Sequence, residues 1–395
     1  MLGRFAFAKL IVFVFAPVLA AQPLRHHEVR PDRMPAPGHT SSSTNPPRVV
    51  ERPAGARLHV PAGFSIDVWA EGFEHPRNMV LAPNGDVFVA DSKAGTVIAL
   101  RGKERFTFAR GLNRPFGLAF GPHHLYVGNT DAVVRFPYRS GQTEAAGEPE
   151  AIAELPPGGH WTRNLIFNTD RSKLYVAVGS RSNVNVETDE PTRAAITEMN
   201  PDGSGQRIYA SGLRNPVGLA WNKATGELWT SVNERDGLGD DLVPDYITEV
   251  KRGGFYGWPW AYIGKNEDPR RKGESPEMVA KALVPSVLIQ AHSAALGLVF
   301  YDGTMFPAKY RGGAFVALHG SWNRSLRTGY SVVHVPFRGG RPAGGYDDFV
   351  VGWAPDPAEK TVWGRPVGLL VLPDGSLLVS DDGAGVIWRI HHRRK

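Results

Sequence analysis

One short phrase recurs six times along this chain of 395 residues, and the recurrence constrains the fold more than any other feature. Its form is x-[small/Pro]-x-[Gly/Asn]-[Leu/Met]-x-[apolar]. The copies are HPRNMVL (75–81), RPFGLAF (114–120), WTRNLIF (161–167), NPVGLAW (215–221), AALGLVF (294–300) and RPVGLLV (365–371). After each comes a turn and a run rich in Val, Leu and aromatic residues with partial period-2 alternation, such as GDVFVAD, KLYVAVG and GSLLVSD. Such runs are short strands. The turns PNGD and PDGS carry glycine where a positive φ is needed. A repeat of about 56 residues suits one four-stranded blade with its loops. The predicted architecture is therefore all-β, a single six-bladed β-propeller over 58–395. Copies lie 39, 47, 54, 79 and 71 residues apart, which places inserted loops in blades four and five. Insertions of this kind gather on one face and carry function.

Composition agrees. Glycine (45) and proline (32) are frequent enough to demand many turns and to argue against long helices. The absence of cysteine excludes disulfide frameworks, thiolate metal sites, haem attachment and a cysteine nucleophile. The net charge of +6, with both signs interspersed, does not suggest nucleic-acid binding.

Ahead of the repeats, Arg4 and Lys9 precede an apolar run from Leu10 to Ala20 that ends in small residues. This reads as a signal peptide over 1–21, cleaved after Ala20 or Ala21, and the run is short for a membrane span. A periplasmic or secreted protein with no stable membrane span in the mature chain is expected. Residues 22–57, rich in Pro, Ser, Arg and His without apolar periodicity, read as a flexible linker, with His26, His27 and His39 on a solvated tail.

In a propeller the innermost strand of each blade lines the central channel and its entry loop opens at one mouth. Equivalent positions of the phrase then face one another across the axis. The residues just before the phrase are Glu74, Asn113, His160, Arg214, Ser293 and Gly364. The first residues are His75, Arg114, Trp161, Asn215, Ala294 and Arg365. The third are Arg77, Phe116, Arg163, Val217, Leu296 and Val367. These columns bring His160, Arg214, Asn215, Arg365, Arg114, His75 and Arg77 to one mouth. A pocket so lined suits a flat ligand with several carboxylates or carbonyls, because arginine pairs bidentately with carboxylates and stacks on planar rings.

The segments GGHWTRNLIF, SGLRNPVGLAW and NERDGLGDDLVPDYITEVKRGGFYGWPW resemble the soluble PQQ-dependent sugar dehydrogenases, and more narrowly the glucose/sorbosone dehydrogenase group, over roughly 58–392. The resemblance implies a propeller holding pyrroloquinoline quinone (PQQ) on its axis with a calcium ion. It implies His160 as the base toward a sugar hydroxyl and Arg214 beside the quinone carbonyl. It implies Asn215, Arg324 (in HGSWNRS) and Arg365 as cofactor-binding residues, to which the columns add Arg77, with Trp322 either over the ring or in the core. By the same resemblance the backbone carbonyls of Asp236 and Gly237 would bind calcium and Asp240 and Asp241 would support the loop. The partners implied are a small-molecule sugar substrate and, since no C-x-x-C-H haem motif is present, a separate electron acceptor, a quinone or a cytochrome. There is one departure. The glucose-oxidising members end the strand after the catalytic histidine in Gly-Asp, and that acid orients the imidazole. Here the strand ends Val178-Gly179-Ser180, closer to the sorbosone branch. Two other functions remain open on the same fold: a calcium-dependent lactonase, for which the columns lack a clear axial Asp, and a non-catalytic propeller that binds a glycan or a protein.

Overall fold

A computed structural model describes residues 23–186 and 189–393; the predicted signal peptide lies outside the described residues. Six antiparallel four-stranded sheets, one gaining a fifth short strand, form the blades of a propeller. The six phrases supply the innermost strands: Pro76–Leu81, Gly117–Phe120, Arg163–Phe167, Pro216–Asn222, Ala295–Phe300 and Pro366–Val371. The ring is closed by Phe64–Glu71, which pairs antiparallel with Val386–His392 and completes the last blade with the first strand of the domain.

The packing explains why the strands alternate only partially. Each blade is covered on both faces by a neighbour, so both faces of its middle strands are apolar. In Val87–Asp91, Phe88 and Ala90 join the core shared with the second blade, whereas Val87 and Val89 join the core shared with the sixth. In Leu174–Val178 the same division sends Tyr175 and Ala177 one way and Leu174, Val176 and Val178 the other.

The [Gly/Asn] position of the phrase also has a physical cause. A Cβ on Gly117 would lie 2.6 Å from the carbonyl oxygen of Arg163. The corresponding gaps are 2.4 Å from Gly218 to Leu296, 2.3 Å from Gly297 to Val367 and 2.4 Å from Gly368 to Arg77. In each case the neighbour is the third phrase residue of an adjoining blade. Adjacent innermost strands approach too closely for any side chain except one that bonds to the neighbour. Asn164 does this, its Nδ2 donating to Val217 O at 2.8 Å, and Asn78 donates in turn to Asn164 Oδ1 at 2.9 Å.

The insertions fall where the repeat spacing places them. Blade four carries loops at 233–244 and 251–286, the latter with a hairpin and the helix Pro276–Lys281. Blade five carries 319–330 and the loop that follows Tyr346–Val350. Residues 23–57, the linker of the sequence reading, have defined partners. His26 and His27 pair with Asp347 and Tyr346 as the fifth strand of blade five, and their rings meet Asp347 and Asp348 at 2.8 and 2.9 Å. Farther on, Asp240 N donates to Thr40 Oγ1, Asn45 N donates to Trp322 O, and Arg48–Val49 pairs with Thr361–Val362.

Candidate active site at the axial mouth

The axial channel is divided by an apolar plug. Phe116, Val217, Leu296 and Val367, four of the six third-column residues, form one buried cluster with Trp161 packed against it. Above the plug, at the N-terminal ends of the innermost strands, is a cavity of about 330 Å³. Of the seven residues that the columns place at this mouth, His160, Arg77, Arg214, Asn215 and Arg365 line it, and Arg114 and His75 do not. Below the plug the channel is wider and more apolar, with Met79, Phe120, Phe167 and Trp221 in its wall.

His160 is set by its backbone surroundings. Gly159 has φ +62°, and a Cβ there would fall 2.4 Å from Arg181 Cα. Arg163, fully buried, donates to the carbonyls of His160 and Pro156, both at 2.6 Å. The imidazole Nδ1 lies 2.8 Å from Ser180 O and 3.1 Å from Ser180 Oγ. A carbonyl can only accept, so Nδ1 carries the proton and Nε2 keeps its lone pair. The Ser180 hydroxyl itself donates to Ser182 O. A main-chain oxygen thus does the orienting that the Gly-Asp members assign to an acid. Burial, with Arg214 second, depresses the imidazole pKa to about 3, so His160 is neutral.

Arg214 is committed to protein acceptors. It donates to Glu234 O at 2.7 Å, to Asn183 Oδ1 at 3.0 Å and to Asp236 Oδ2 at 3.1 Å. It braces the 233–236 loop as well as facing the cavity. Arg365 differs: it donates to the carbonyls of His319 and Gly320 at 3.1 Å and has no carboxylate within ion-pair distance among the described residues. Arg77 pairs with Asp382 at 2.7 Å. Arg77 and Arg114 both lie over the Trp161 ring, at 4.9 and 4.0 Å from its centroid, a cation–π arrangement that directs Arg114 onto the indole.

Other expected residues are placed elsewhere. Arg324 lies outside the cavity lining; its guanidinium reaches Asp240 O and the Asp241 carboxylate. One of the two carbonyls expected to bind calcium, and one of the two carboxylates expected to support the loop, have other donors. Asp236 O accepts from Asn183 Nδ2 and Arg235 Nη2, both at 2.9 Å, and Asp240 accepts from Ser325 N and Oγ. Gly237 sits against Arg270, whose Nη2 would be 3.0 Å from an added Cβ. Guanidinium groups beside these carbonyls oppose a dication, and no cluster of three or more acidic or imidazole groups able to hold a metal occurs among the described residues. The named metal ligands therefore do not fit calcium in this arrangement. Trp322 is 47% exposed at the rim, which removes it from the core.

Sequence columns missed half of the lining. Glu234, Asp245, His319 and Asn323 come from the inserted loops or the ends of second and third strands, where no repeat marks them, and His292 from the entry segment two residues ahead of the fifth phrase. Burial raises the Glu234 carboxyl to about 7, and its Oε1 has no hydrogen-bond partner. His292 Nε2 donates to Gly239 O, which leaves Nδ1 to accept from Asn323 at 3.0 Å.

Comparison with known proteins bears on this geometry. The TrAA12-like family model matches residues 58–244 and 270–393, and the chain belongs to that family. An uncharacterized protein of Borreliella burgdorferi is 29% identical over 355 residues, covering 85% of this chain and 91% of that protein. The pyrroloquinoline quinone-dependent pyranose dehydrogenase of Coprinopsis cinerea is 24% identical over 85% of this chain, which spans only 54% of that longer relative. The holo PQQ domain of the Coprinopsis enzyme superposes with a TM-score of 0.74 at 20% identity, covering 88% of this chain and 99% of that domain. The calcium structure of the Trichoderma reesei family AA12 enzyme gives 0.75 at 20% identity, over 88% and 98%. At these identities the structural likeness establishes the shared fold.

Proposed function

We propose that this protein is a PQQ-dependent dehydrogenase that oxidises a sugar or sugar aldehyde, with His160 as the base. The observation that carries the reading is the neutral, tautomer-fixed His160, with its unprotonated Nε2 in a cavity ringed by Arg77, Arg214 and Arg365. The cavity suits a planar, multiply anionic quinone. Arg365 has no carboxylate within ion-pair distance among the described residues, the Arg77 and Arg214 guanidiniums stand around it, and Trp322 at the rim offers a flat apolar surface. The pyranose dehydrogenase relative binds PQQ by name, which supports the same assignment.

When bound, PQQ supplies a two-electron acceptor for hydride. The chain supplies the rest. Arg365 and Arg77 would bind carboxylate groups, and Arg214 would face a carbonyl oxygen on which negative charge grows. Asn215 would position the ligand edge. His160 Nε2 takes the hydroxyl proton as hydride leaves the adjacent carbon, and Ser180 O holds the ring in place during the transfer. The plug beneath closes the channel and keeps the lower cavity out of contact with the reacting atoms.

Calcium takes no step here, because Asp236 O, one of the two carbonyls expected to bind it, already accepts from Asn183 and Arg235; the Trichoderma calcium structure supports including the ion in reconstitution. The lactonase alternative needs a metal held by axial carboxylates. Asp245 gives both oxygens to backbone N–H groups, of Glu234 and Ala294, and Asp236 gives its to Arg214 and Asn323. Export to the periplasm or beyond and a separate electron acceptor belong to the proposal. No helix among the described residues is long and apolar enough to cross a membrane.

The test is reconstitution of purified protein with PQQ and calcium, followed by addition of aldoses, pyranoses and sorbosone. A cofactor absorbance band that shifts on binding and bleaches with one sugar class is the expected result. A protein that leaves the cofactor spectrum unchanged overturns the assignment.

A further inference from the structure

A second imidazole lines the same cavity and is held quite differently. His319 opens the HGSWNRS loop, directly after the strand Ala314–Leu318 of blade five. Its Nε2 lies 2.8 Å from Asp382 Oδ1. A carboxylate accepts, so Nε2 carries the proton and Nδ1 keeps its lone pair. Asp382 follows the second strand of blade six, is buried, and gives its other oxygen to Arg77 at 2.7 Å. Although burial alone would raise it, Arg77 and then His319 hold the Asp382 carboxyl below the ordinary carboxylate range, so the charge persists. Nδ1 of His319 has no hydrogen-bond partner among the described residues. The neighbouring Asp381 does not compete for the ring. One oxygen serves the backbone N–H of Arg365, Gly383 and Ala384, and the other the indoles of Trp353 and Trp388.

The two imidazoles therefore differ in what surrounds an added proton. Around His160 stand Arg214, Arg163 and Arg193, and the ring's partners are neutral Ser180 oxygens. Around His319 stand Arg365 and Arg77, but a buried carboxylate touches the ring. An acid on the far nitrogen stabilises an imidazolium as it forms.

We propose that His319, backed by Asp382, is a second proton-accepting group of the site and the group to which His160 passes the substrate's hydroxyl proton. The proposal rests on the dehydrogenase reading. The electron pair of the substrate C–H bond leaves as hydride to the quinone, and the O–H bond pair becomes the second bond of the C=O group. The released proton is taken first by His160 Nε2 and passes to His319 Nδ1, which returns His160 to its neutral form.

The test has two parts. The first is ¹⁵N NMR titration of the histidines in the full mature chain without cofactor. The expected result is that His319 protonates at higher pH than His160, on Nδ1, and that Asp382→Asn lowers its titration midpoint while His160 is unmoved. The second part is the reconstituted enzyme. His319→Gln should lower kcat about tenfold or more with KM for the sugar held, and should abolish an acid-side limb of the kcat profile that His160→Gln does not remove. His319 titrating below His160, or His319→Gln retaining full kcat and the same pH profile, overturns the proposal. Both outcomes leave the dehydrogenase reading intact, which fails instead if the wild-type protein takes up no quinone.

Discussion

The two sides of the cavity solve the same problem with different chemistry. On the blade-three side, His160 is held by a main-chain carbonyl and hemmed by arginines; on the blade-five and blade-six side, His319 is held by a buried Asp382 that also pairs with Arg77. The first arrangement fixes a lone pair and keeps the ring neutral. The second fixes a lone pair and lets the ring accept charge at lower cost. On the proposed mechanism, orientation and charge stabilisation, which the family resemblance assigns to one aspartate in the glucose-oxidising members, are divided between the two sides.

The largest effect should come from the first side. His160→Gln is expected to lose about 10²- to 10⁴-fold in kcat, with quinone binding kept, as read by turnover and by cofactor titration. Near-wild-type turnover would move the base to the other wall. Next comes the scaffold of that side. Gly179→Ala would bring a Cβ to 2.3 Å from Asn215 Oδ1 and 2.6 Å from His160 Cβ. It should cost about 1–3 kcal/mol in denaturant unfolding and blunt turnover.

The second side is sharpened by pH. Burial, followed by Arg365, lowers the His319 pKa from 6.5 to about 4. The unfolded chain takes that proton first, so this contribution to stability is complete above about pH 6.5 and is lost as pH falls toward 4. Buried Glu234 and Asp381, raised to about 7 and about 6, act in the opposite sense over part of this range but are present in both proteins. Thermal unfolding of His319→Gln should therefore decline less steeply than wild type between pH 6.5 and 4. An unchanged slope would show that the ring already carries a proton in the folded state.

Smaller effects test what pins the cavity rim. Asn45→Ala removes bonds to the carbonyls of Arg324 and Ser325 and an acceptor for Arg327. A loss of about 1–2 kcal/mol is expected, with faster amide exchange over 320–327. Ser180→Ala is expected to be the mildest, with kcat within a few-fold and stability within about 1 kcal/mol, because the shorter contact of Nδ1, to the Ser180 carbonyl, is kept when the hydroxyl is removed. A collapse of activity would return the orienting role to the side chain.

Much of this was legible in the chain. The repeated phrase announced six innermost strands, and its [Gly/Asn] position encodes the close approach of each to the next. The columns brought His160, Arg77, Arg214, Asn215 and Arg365 together, since in-phase repeats must share a mouth. The loop residues could not be read this way. Arg324 was expected at the cofactor and instead clamps 240–241, while His319, five residues earlier in the same segment, faces the cavity. Asp382 carries no repeat signature, and its partners Arg77 and His319 lie far away in sequence. The apparent linker behaved similarly: residues poor in apolar periodicity can still be ordered by hydrogen bonds to loops they cover.

Periodicity and composition by themselves determined the propeller, the number of its blades and the mouth at which the chemistry-bearing residues gather, because those follow from repeated local patterns that each blade must satisfy to bury its faces. Tertiary structure alone decided which nitrogen of each imidazole is free, which arginines are spent on protein acceptors and which loop oxygens remain for a ligand. Those outcomes depend on hydrogen bonds between residues tens to hundreds of positions apart, where directional geometry, not residue type, selects the partner.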